Sequence, residues 1–180
     1  RKGEFEGMDE KLKDPLWAPD FGKAEKHPTF GAVAIGARQF LIAYNIDLDT
    51  TDMSIPEKIA KAIRKSSGGY QYIQAGPAFL EKHNHVQVTM NILDYKKNPI
   101  YRIFETVRME AKRYHVNTTG AEIVGLLPKD ALVRSLRYYL AVDDDPRDPK
   151  VLSLEELALL AKKYLLFRDF DIMKIIESYL

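Results

Sequence analysis

The chain of 180 residues contains no cysteine. Disulfide bonds and thiolate metal sites are therefore excluded, and a reducing compartment is compatible with the composition. An excess of charge of one sign is also absent, because 27 Lys and Arg are balanced by 26 Asp and Glu for a net charge of +1. Such a chain lacks the positive field that attracts nucleic acids and anionic membranes. We therefore expect neither nucleic acid nor membrane as a partner.

Long hydrophobic runs and common catalytic motifs are absent as well. The apolar stretches are much shorter than the roughly 20 residues that a membrane-spanning helix requires. The sequence contains no GxxxxGK[ST] phosphate loop, no GxSxG nucleophile elbow and no GxGxxG dinucleotide motif. Residues 1–6 include neither an initiator Met nor an apolar signal region, which favours a piece of a longer protein.

The hydrophobic content of 46% is sufficient for one sizeable core. Residues 1–30 are rich in proline, glycine and charge, and they predict an ordered arm with one helical turn over 8–13. Two β-like runs follow at 32–35 and 40–48. The intervening Gly-Ala-Arg-Gln of residues 36–39 predicts a β-hairpin.

Helix signals recur along the rest of the chain. Ser54 begins a capping-box pattern, and the helix that it predicts ends before Gly68. Pro99 and Pro128 each precede an apolar stripe of helical period. A second capping box at Ser153 predicts another helix, and the last turn, residues 172–180, is predicted to dock onto the core.

Period-two alternation predicts three further strands, at residues 70–75, 86–93 and 122–126, with Gly76-Pro77 in the connection between the first two. From residue 40 onward the order is β-α-β-β-α-β. We therefore predict an α+β fold, a ferredoxin-like sandwich with an extra N-terminal hairpin strand and C-terminal helices. The uncovered face of its sheet is expected to carry a substantial apolar share.

A metal site is not predicted. His83 and His85 lie two residues apart, but no third ligand is spaced to complete a set. Asp143-Asp144-Asp145 resembles the start of a calcium loop, yet the required Gly and distal Glu are missing. We interpret these residues as solvated turns.

Candidate acids and bases are few. His115 follows a helix, where an imidazole interacts favourably with the helix dipole, so we expect a capping role. His27 lies in the proline-rich arm and is the histidine of functional interest. Glu122 is either a functional acid or a strand residue that is hydrogen-bonded to a neighbour.

Five fragments, in their order and spacing, resemble the C-terminal half of glutamate formiminotransferase. They are RKGEFEGM (1–8), WAPDFG (17–22), GARQFLIAYNI (36–46), QVTMNILD (87–94) and EIVGLLP (122–128). The resemblance implies a cytoplasmic transferase in which two ferredoxin-like subdomains enclose tetrahydrofolate. It transfers a formimino group from N-formiminoglutamate to N5 of tetrahydrofolate in histidine degradation. Residues 1–30 are then the arm and ligand-binding loop, and residues 31–180 are the C-terminal subdomain.

The resemblance also implies what this chain does not contain. The catalytic histidine of the family lies in a Gly-Glu-His-Pro type segment of the N-terminal subdomain, and no such segment occurs here. No catalytic residue is therefore expected in this chain, which alone is predicted to be inactive. The implied partners are the missing N-terminal subdomain, a second copy in a homodimer, and the two substrates. No metal is implied.

Two folate-binding stretches are carried over from the family, residues 22–31 and 68–77. The site residues of the first are Gly22, Lys23, Lys26, His27, Pro28, Thr29, Phe30 and Gly31, with Thr29 and Phe30 where the family has Ser and Trp. Those of the second are Gly68, Gly69, Tyr70, Gln74, Ala75 and Gly76. Here Ala75 and Pro77 replace glycines, and Tyr70-Gln71-Tyr72 replaces a basic run. Glycine permits close backbone approach, and an aromatic ring can stack on a heterocycle.

An alternative function is a non-catalytic ferredoxin-like module that binds a small molecule. An RNA-binding version of this module requires aromatic residues on the central strands. The segment VQVTM, residues 86–90, contains none. The small-molecule version therefore remains as the alternative.

Overall fold

The chain divides into two units in the computed structural model, which describes residues 4–142 and 149–180. The first unit is Arg1–Arg38 and the second is Gln39–Leu180. In the first unit, helix α1 spans Met8–Lys11, within the helical turn predicted over 8–13. The rest of its described residues form turns, bends, an isolated bridge between His27 and Gly31, and segments without regular secondary structure.

The second unit is built on an antiparallel sheet of four strands in the order β2-β3-β1-β4. The strands are β1 (Ile42–Leu48), β2 (Ile73–Leu80), β3 (His85–Ile92) and β4 (Thr118–Val124). All three neighbouring pairs are antiparallel. With its helices, this sheet confirms the α+β class.

Four longer helices belong to the same unit: α2 (Ser54–Ile63), α3 (Ile100–Lys112), α4 (Lys129–Leu140) and α5 (Leu154–Leu165). Helix α2 packs against β2 and β3, while α3 contacts α2, β1 and β4. Helix α4 packs against α3 and α5. The core lies between the sheet and these helices.

Alternation along β1 determines which side chains enter that core. Ile42, Tyr44, Ile46 and Leu48 are fully buried, whereas Ala43 and Asn45 between them are partly exposed. In β3, Val86, Val88, Met90 and Ile92 are buried in the same way. Because successive side chains of a strand point to opposite faces, these residues define the face that the helices cover.

The predicted helix starts are confirmed in three of four cases. Pro99 and Pro128 are the N-cap residues of α3 and α4. Ser153 forms a true capping box, since its Oγ accepts from Glu156 N–H at 3.2 Å and its own N–H donates to Glu156 Oε2 at 2.8 Å. Both bonds satisfy amides that would otherwise lack a partner at the helix end.

The capping box predicted at Ser54 is wrong. Ser54 lies inside the helix, whose N-cap is Met53, and no side chain caps at that position. Instead the carboxylate of Asp52 accepts from Ser54 N–H at 2.8 Å. An aspartate two residues upstream satisfies the amide equally well, so the local pattern misplaced the cap.

The predicted N-terminal hairpin is also wrong. Residues 32–41 contain no strand, and β1 begins at Ile42 rather than at Phe40. Val33 and Ile35 are 78% and 94% exposed. A strand requires a neighbour for its backbone hydrogen bonds, and no described residue supplies one here.

Strand β2 ends at Leu80, five residues beyond the predicted end at residue 75. Gly76 and Pro77 belong to the strand rather than to the connection, and Pro77 lies opposite Val88. Because β2 is an edge strand of this sheet, the missing N–H of proline is tolerated there. The turn that joins β2 to β3 instead contains Asn84, whose φ is 49°.

The C-terminal residues dock onto the core as predicted. They form two short 3₁₀ helices, Ile172–Lys174 and Ile176–Tyr179. Ile176 N–H donates to Leu127 O at 3.0 Å, and Glu177 Oε2 accepts from Lys129 N–H at 2.6 Å. The interpretation of Asp143-Asp144-Asp145 as a solvated turn concerns residues outside the described part. Among the described helices, none combines the length and the apolar character needed to cross a membrane.

Candidate functional site

The face of the sheet opposite α2 and α3 is polar, which corrects the expectation of a substantial apolar share. We call it the polar face. Register places its residues in three rows that run from β2 to β4: Gln74, Asn91, Ala43 and Val124; Gly76, Thr89, Asn45 and Glu122; Ala78, Gln87, Asp47 and Gly120. Small and polar side chains therefore occupy most of these positions.

Asp47 anchors this face at the C-terminal end of β1. It is only 3% exposed, and Gln87 Nε2 donates to its Oδ1 at 2.6 Å. Arg168 Nε forms an ion pair with Asp47 Oδ2 at 2.9 Å, although without hydrogen-bond geometry, and His85 Nε2 lies 3.5 Å from Oδ1. A buried carboxylate is tolerated only when it is paired in this way.

Arg168 reaches the polar face because the chain after α5 adds to the edge of the sheet. Phe167 forms a parallel bridge with Ala121, and Arg168 N–H donates to Ala121 O at 2.9 Å. The Phe167 ring packs edge-on against Tyr44 on the core side at 5.8 Å. The next side chain, Arg168, therefore points to the opposite face, where Nη2 donates to Glu122 Oε2 at 3.0 Å.

Of the two interpretations of Glu122, the hydrogen-bonded strand residue is observed, and the functional acid stays a prediction. The carboxylate is hydrogen-bonded to a neighbour, and it remains partly exposed on the polar face. Glu122 is thus held in position without being sealed off from a ligand. The sequence did not reveal Arg168, because its partners lie 46 and more residues away and no local motif marks it.

Glycines give this face room for a close approach. A Cβ on Gly120 would lie 2.9 Å from Asp47 Oδ2 and 3.9 Å from Arg168 Cδ, so the absence of a side chain lets the ion pair form. A Cβ on Gly76 would have nothing within 4 Å. The backbone at Gly76 is therefore open to a flat ligand.

Several polar side chains of this face have no hydrogen-bond partner in the described part of the chain. Asn45, Gln74, Thr89 and Asn91 make no side-chain hydrogen bond within residues 4–142 and 149–180, and all are at least partly exposed. Three of them lie on adjacent rows at the centre of the sheet. Carboxamide and hydroxyl groups both donate and accept, so together they can bind the polar edge of a heterocycle.

The first predicted stretch forms a closed loop in the first unit. His27 N–H donates to Gly31 O at 2.8 Å, and Gly31 N–H donates to His27 O at 3.0 Å. His27 Nδ1 accepts from the amides of Thr29 and Phe30, both at 3.3 Å, and its ring lies 4.7 Å from that of Phe30. His27 therefore stabilises the loop through Nδ1. The side chain of Phe30 in this loop is 75% exposed.

A cavity of about 510 Å³ lies against this loop. All of the predicted first-stretch residues except Thr29 line it: Gly22, Lys23, Lys26, His27, Pro28, Phe30 and Gly31. Gly22 and Gly31 have φ of 88° and 74°, conformations in which a side chain is strained.

The two lysines of the loop differ in their contacts. Lys26 Nζ lies 3.1 Å from Asp9 Oδ2, and this hydrogen-bonded ion pair lowers the pKa of the Asp9 carboxyl. The same ammonium lies 4.6 Å from the centroid of the Phe5 ring. Lys23 is largely exposed, with Glu25 at 3.7 Å. Lys23 is therefore the more accessible cation for a ligand carboxylate.

The second predicted stretch divides between structural and accessible positions. Gly68 has φ of 88°, and a Cβ on Gly69 would collide with the carbonyl group of Ile63. Tyr70 OH lies 2.8 Å from Thr106 Oγ1. The residue types at these three positions are thus explained by the backbone conformation and packing, without a ligand.

The remaining residues of this stretch lie on β2. Gln74 and Gly76 are on the polar face, and Ala75 packs partly against the core. Gln74 and Ala75 also line a cavity of about 720 Å³ together with Arg64 and Lys65. The first stretch lies in the other unit, Arg1–Arg38.

The expectation that there is no metal site remains a prediction. His83 and His85 stack with their ring centroids 5.6 Å apart, but His85 belongs to β3 and is partly buried, so its interpretation as part of a solvated turn is wrong. Within the described residues, no group of three or more His, Asp or Glu is arranged to hold an ion. His115 lies three residues beyond α3, in a turn with φ of 57°.

Comparison with protein families gives two matches that meet near the division between the units. The formiminotransferase domain matches residues 43–160, and the N-terminal subdomain of that domain matches residues 1–38. The sequence interpretation placed the domain boundary at 30/31, whereas the two contact units divide after Arg38.

Individual relatives agree with these matches. A glutamate formimidoyltransferase of Streptococcus pyogenes serotype M1 is 50% identical over 144 residues, which cover 80% of this chain and 48% of that protein. A glutamate formimidoyltransferase of Thermoplasma acidophilum is 46% identical over 140 residues, or 78% of this chain and 46% of the relative. A formimidoyltransferase-cyclodeaminase of Dictyostelium discoideum is 35% identical over 150 residues, which cover 80% of this chain and 28% of that protein. The chain thus spans about half the length of the first two relatives.

Proposed function

Because the chain belongs to the formiminotransferase domain family, we propose that it is the folate-binding half of a cytoplasmic glutamate formimidoyltransferase. The complete enzyme transfers a formimino group from N-formiminoglutamate to N5 of tetrahydrofolate during histidine degradation. The observation that carries the proposal is the polar face, where unpaired amides, small residues and a fixed ion network line one side of a sheet.

The architecture of the complete enzyme is part of this proposal. The element order β-α-β-β-α-β and the strand order β2-β3-β1-β4 support a ferredoxin-like arrangement. The match of residues 1–38 to the N-terminal subdomain supports a partner subdomain that lies mostly outside this chain. The homodimer implied by the family remains a prediction.

The polar face suits the pteridine ring of tetrahydrofolate. This ring presents amide and amino groups at its edge, and Asn45, Thr89 and Asn91 offer donors and acceptors that have no partner among the described residues. Gly76 provides an open backbone on which a flat ring can lie. Burial of the ring against these groups fixes its orientation and therefore the direction of N5.

The role of this half in the reaction is positioning. N5 attacks the formimino carbon, the bond from that carbon to the glutamate nitrogen breaks, and the proton lost by N5 is returned to the leaving amine. Holding the two substrates in contact replaces a bimolecular encounter and can contribute several kcal/mol. The proton carrier is the histidine that the family resemblance assigns to the N-terminal subdomain.

Among the charged groups of the polar face, Glu122 is the one that we propose to contact the donor substrate. Arg168 is held by Asp47 and Glu122, so its guanidinium cannot move freely toward a carboxylate. Glu122 keeps a partly exposed carboxylate that can accept a hydrogen bond from the formimino nitrogen. Lys23, in the loop of the first unit, carries a largely exposed ammonium group.

The test replaces the unpaired amides. In the full-length protein, Asn45→Leu with Asn91→Leu keeps the side-chain volume similar while it removes two hydrogen-bonding groups. We expect tetrahydrofolate to bind about 30-fold more weakly, since two lost hydrogen bonds at about 1 kcal/mol each amount to about 2 kcal/mol. Calorimetry measures the affinity, and a turnover assay measures formimino transfer.

The matched control is Lys162→Leu, an exposed polar-to-leucine change on α5. It should leave both affinity and turnover unchanged. Full affinity in the double variant would overturn the assignment of the polar face. Tetrahydrofolate binding without any transfer by the full-length protein would favour the alternative, a non-catalytic small-molecule module.

A further inference from the structure

Residues 32–38, with the sequence AVAIGAR, have the pattern of a β-strand but are not in a sheet. Val33 and Ile35 alternate with Ala32, Ala34 and Gly36, which is period-two spacing of large and small residues. Val33 is 78% exposed and Ile35 is 94% exposed. In a β-strand these two β-branched side chains would point to the same side, and here both are exposed to water.

The backbone of the same segment is equally without a partner. No backbone N–H or carbonyl of residues 32–38 makes a hydrogen bond within the described part of the chain. Residues 39–41 also lie outside any strand, whereas Gly31 pairs with His27 and β1 pairs on both sides from residue 43 onward. The unpaired stretch therefore lies between two paired ones.

Two observations identify the partner. The family match to the N-terminal subdomain includes this segment and ends at residue 38, and the chain covers only 48% of its 50%-identical relative. We infer that residues 32–38 form a β-strand in the sheet of the N-terminal subdomain, paired with strands from the part of the protein that precedes this chain. This inference rests on the proposed function only in assuming that this subdomain exists.

The two faces of the strand follow from its residues. In β1, the large apolar residues Ile42 and Tyr44 lie beneath helices, and the smaller Ala43 and Asn45 lie on the polar face. Because the large apolar residues of a strand face the covering helices, Val33 and Ile35 are buried under helices of the N-terminal subdomain. Ala32, Ala34 and Gly36 then line the opposite face of that sheet.

Hydrogen exchange tests the pairing directly. The amides of residues 33–38 should exchange rapidly in this chain and at least about 100-fold more slowly in the full-length protein, because ladder hydrogen bonds protect them. In a second experiment the preceding part of the protein is supplied in trans, and its association with this chain is measured by size-exclusion chromatography. Val33→Asp with Ile35→Asp should abolish that association.

Leu159→Asp is the matched control, because Leu159 is 68% exposed on α5 and lies outside the segment. It should associate as the original chain does. Fast exchange at residues 33–38 in the full-length protein, or undiminished association of the Val33→Asp, Ile35→Asp variant, would overturn the inference. These readouts are independent of catalysis, so protected amides without formimino transfer would refute only the proposed function.

Discussion

Asp47 and Arg168 form an ion pair in which the carboxylate is almost completely buried, with 2.9 Å between Arg168 Nε and Asp47 Oδ2. The two residues are 121 positions apart, the difference between 168 and 47, so the contact joins the first strand to the segment that follows the last long helix. Gln87 and His85 approach the same carboxylate from β3. This cluster ties three parts of the chain together on the polar face.

The first prediction concerns this pair. Arg168→Met should destabilise the protein by about 3–5 kcal/mol, because it leaves the buried Asp47 carboxylate without its counter-charge. Adding Asp47→Asn should recover much of the loss, since a neutral amide does not need that counter-charge. Urea unfolding measures the free energy. Lys61→Met, which breaks an exposed pair with Glu57, is the control and should change stability by under about 0.5 kcal/mol.

The second prediction concerns the space beside Asp47. Gly120→Ala should cost about 1–3 kcal/mol, because the new Cβ lies 2.9 Å from Asp47 Oδ2 and that carboxylate is held by Arg168 and Gln87. Thermal and urea unfolding measure the change. Gly76→Ala serves as the comparison, since it is on the same face with nothing within 4 Å. Equal stability of the two variants would contradict the proposed crowding.

A third prediction concerns Tyr44, whose hydroxyl is fully buried with no hydrogen-bond partner among the described residues. Burial raises the pKa of this phenol well above its ordinary value of 10.0. Tyr44→Phe should therefore leave stability unchanged or raise it by about 1 kcal/mol, because an unsatisfied group is removed. A loss above about 1 kcal/mol would show that the hydroxyl has a partner.

Tyr139→Phe provides the contrast. Its hydroxyl donates to Glu105 Oε1 at 2.8 Å, so its removal should cost about 1 kcal/mol. Burial and the neighbouring Glu105 both raise the pKa of Tyr139.

The fourth prediction is a dependence on pH. Asn117 donates to Asp49 from its side chain at 2.8 Å and from its backbone at 2.6 Å, and these bonds lower the pKa of Asp49 below its ordinary value of 3.8. A depressed folded-state pKa stabilises the protein above the unfolded-state value, and the contribution disappears as pH falls through the folded-state value. Asp49→Asn should therefore cost stability at pH 7 and much less at about pH 2.

Unfolding in urea at both pH values gives the comparison. Asp20→Asn is the control, because Asp20 is exposed and makes no hydrogen bond within the described residues. An Asp49→Asn penalty that is the same at both pH values would refute the assigned cause.

Local signals predicted the helices well. The apolar stripes that follow Pro99 and Pro128, and the Ser153 capping box, each depend on residues within a few positions of one another. Helical hydrogen bonds connect residues four apart, so the information that specifies a helix lies inside it. The Ser54 cap was misplaced because Asp52 offers the same chemistry to the same turn.

Strands were predicted less accurately because their partners are distant in sequence. Strand β3 alternates clearly and is paired on both sides, and its predicted bounds differ by one residue at each end. Strand β2 includes Pro77, which a local rule interprets as a break and which only an edge position permits. Residues 32–38 have strand chemistry but no neighbour within the described residues.

The amino-acid sequence was sufficient to predict the α+β class, most of the helices and the family resemblance, because these depend on composition, local periodicity and the order of short motifs. It also identified the loop of residues 22–31, whose predicted residues, apart from Thr29, surround one cavity. The polar face of the sheet, and the contacts of Arg168 with Asp47 and Glu122 on it, could be recognised only in the folded structure. The reason is physical: register and strand order bring these side chains together across 46 to 121 positions of chain, and no local pattern encodes that distance.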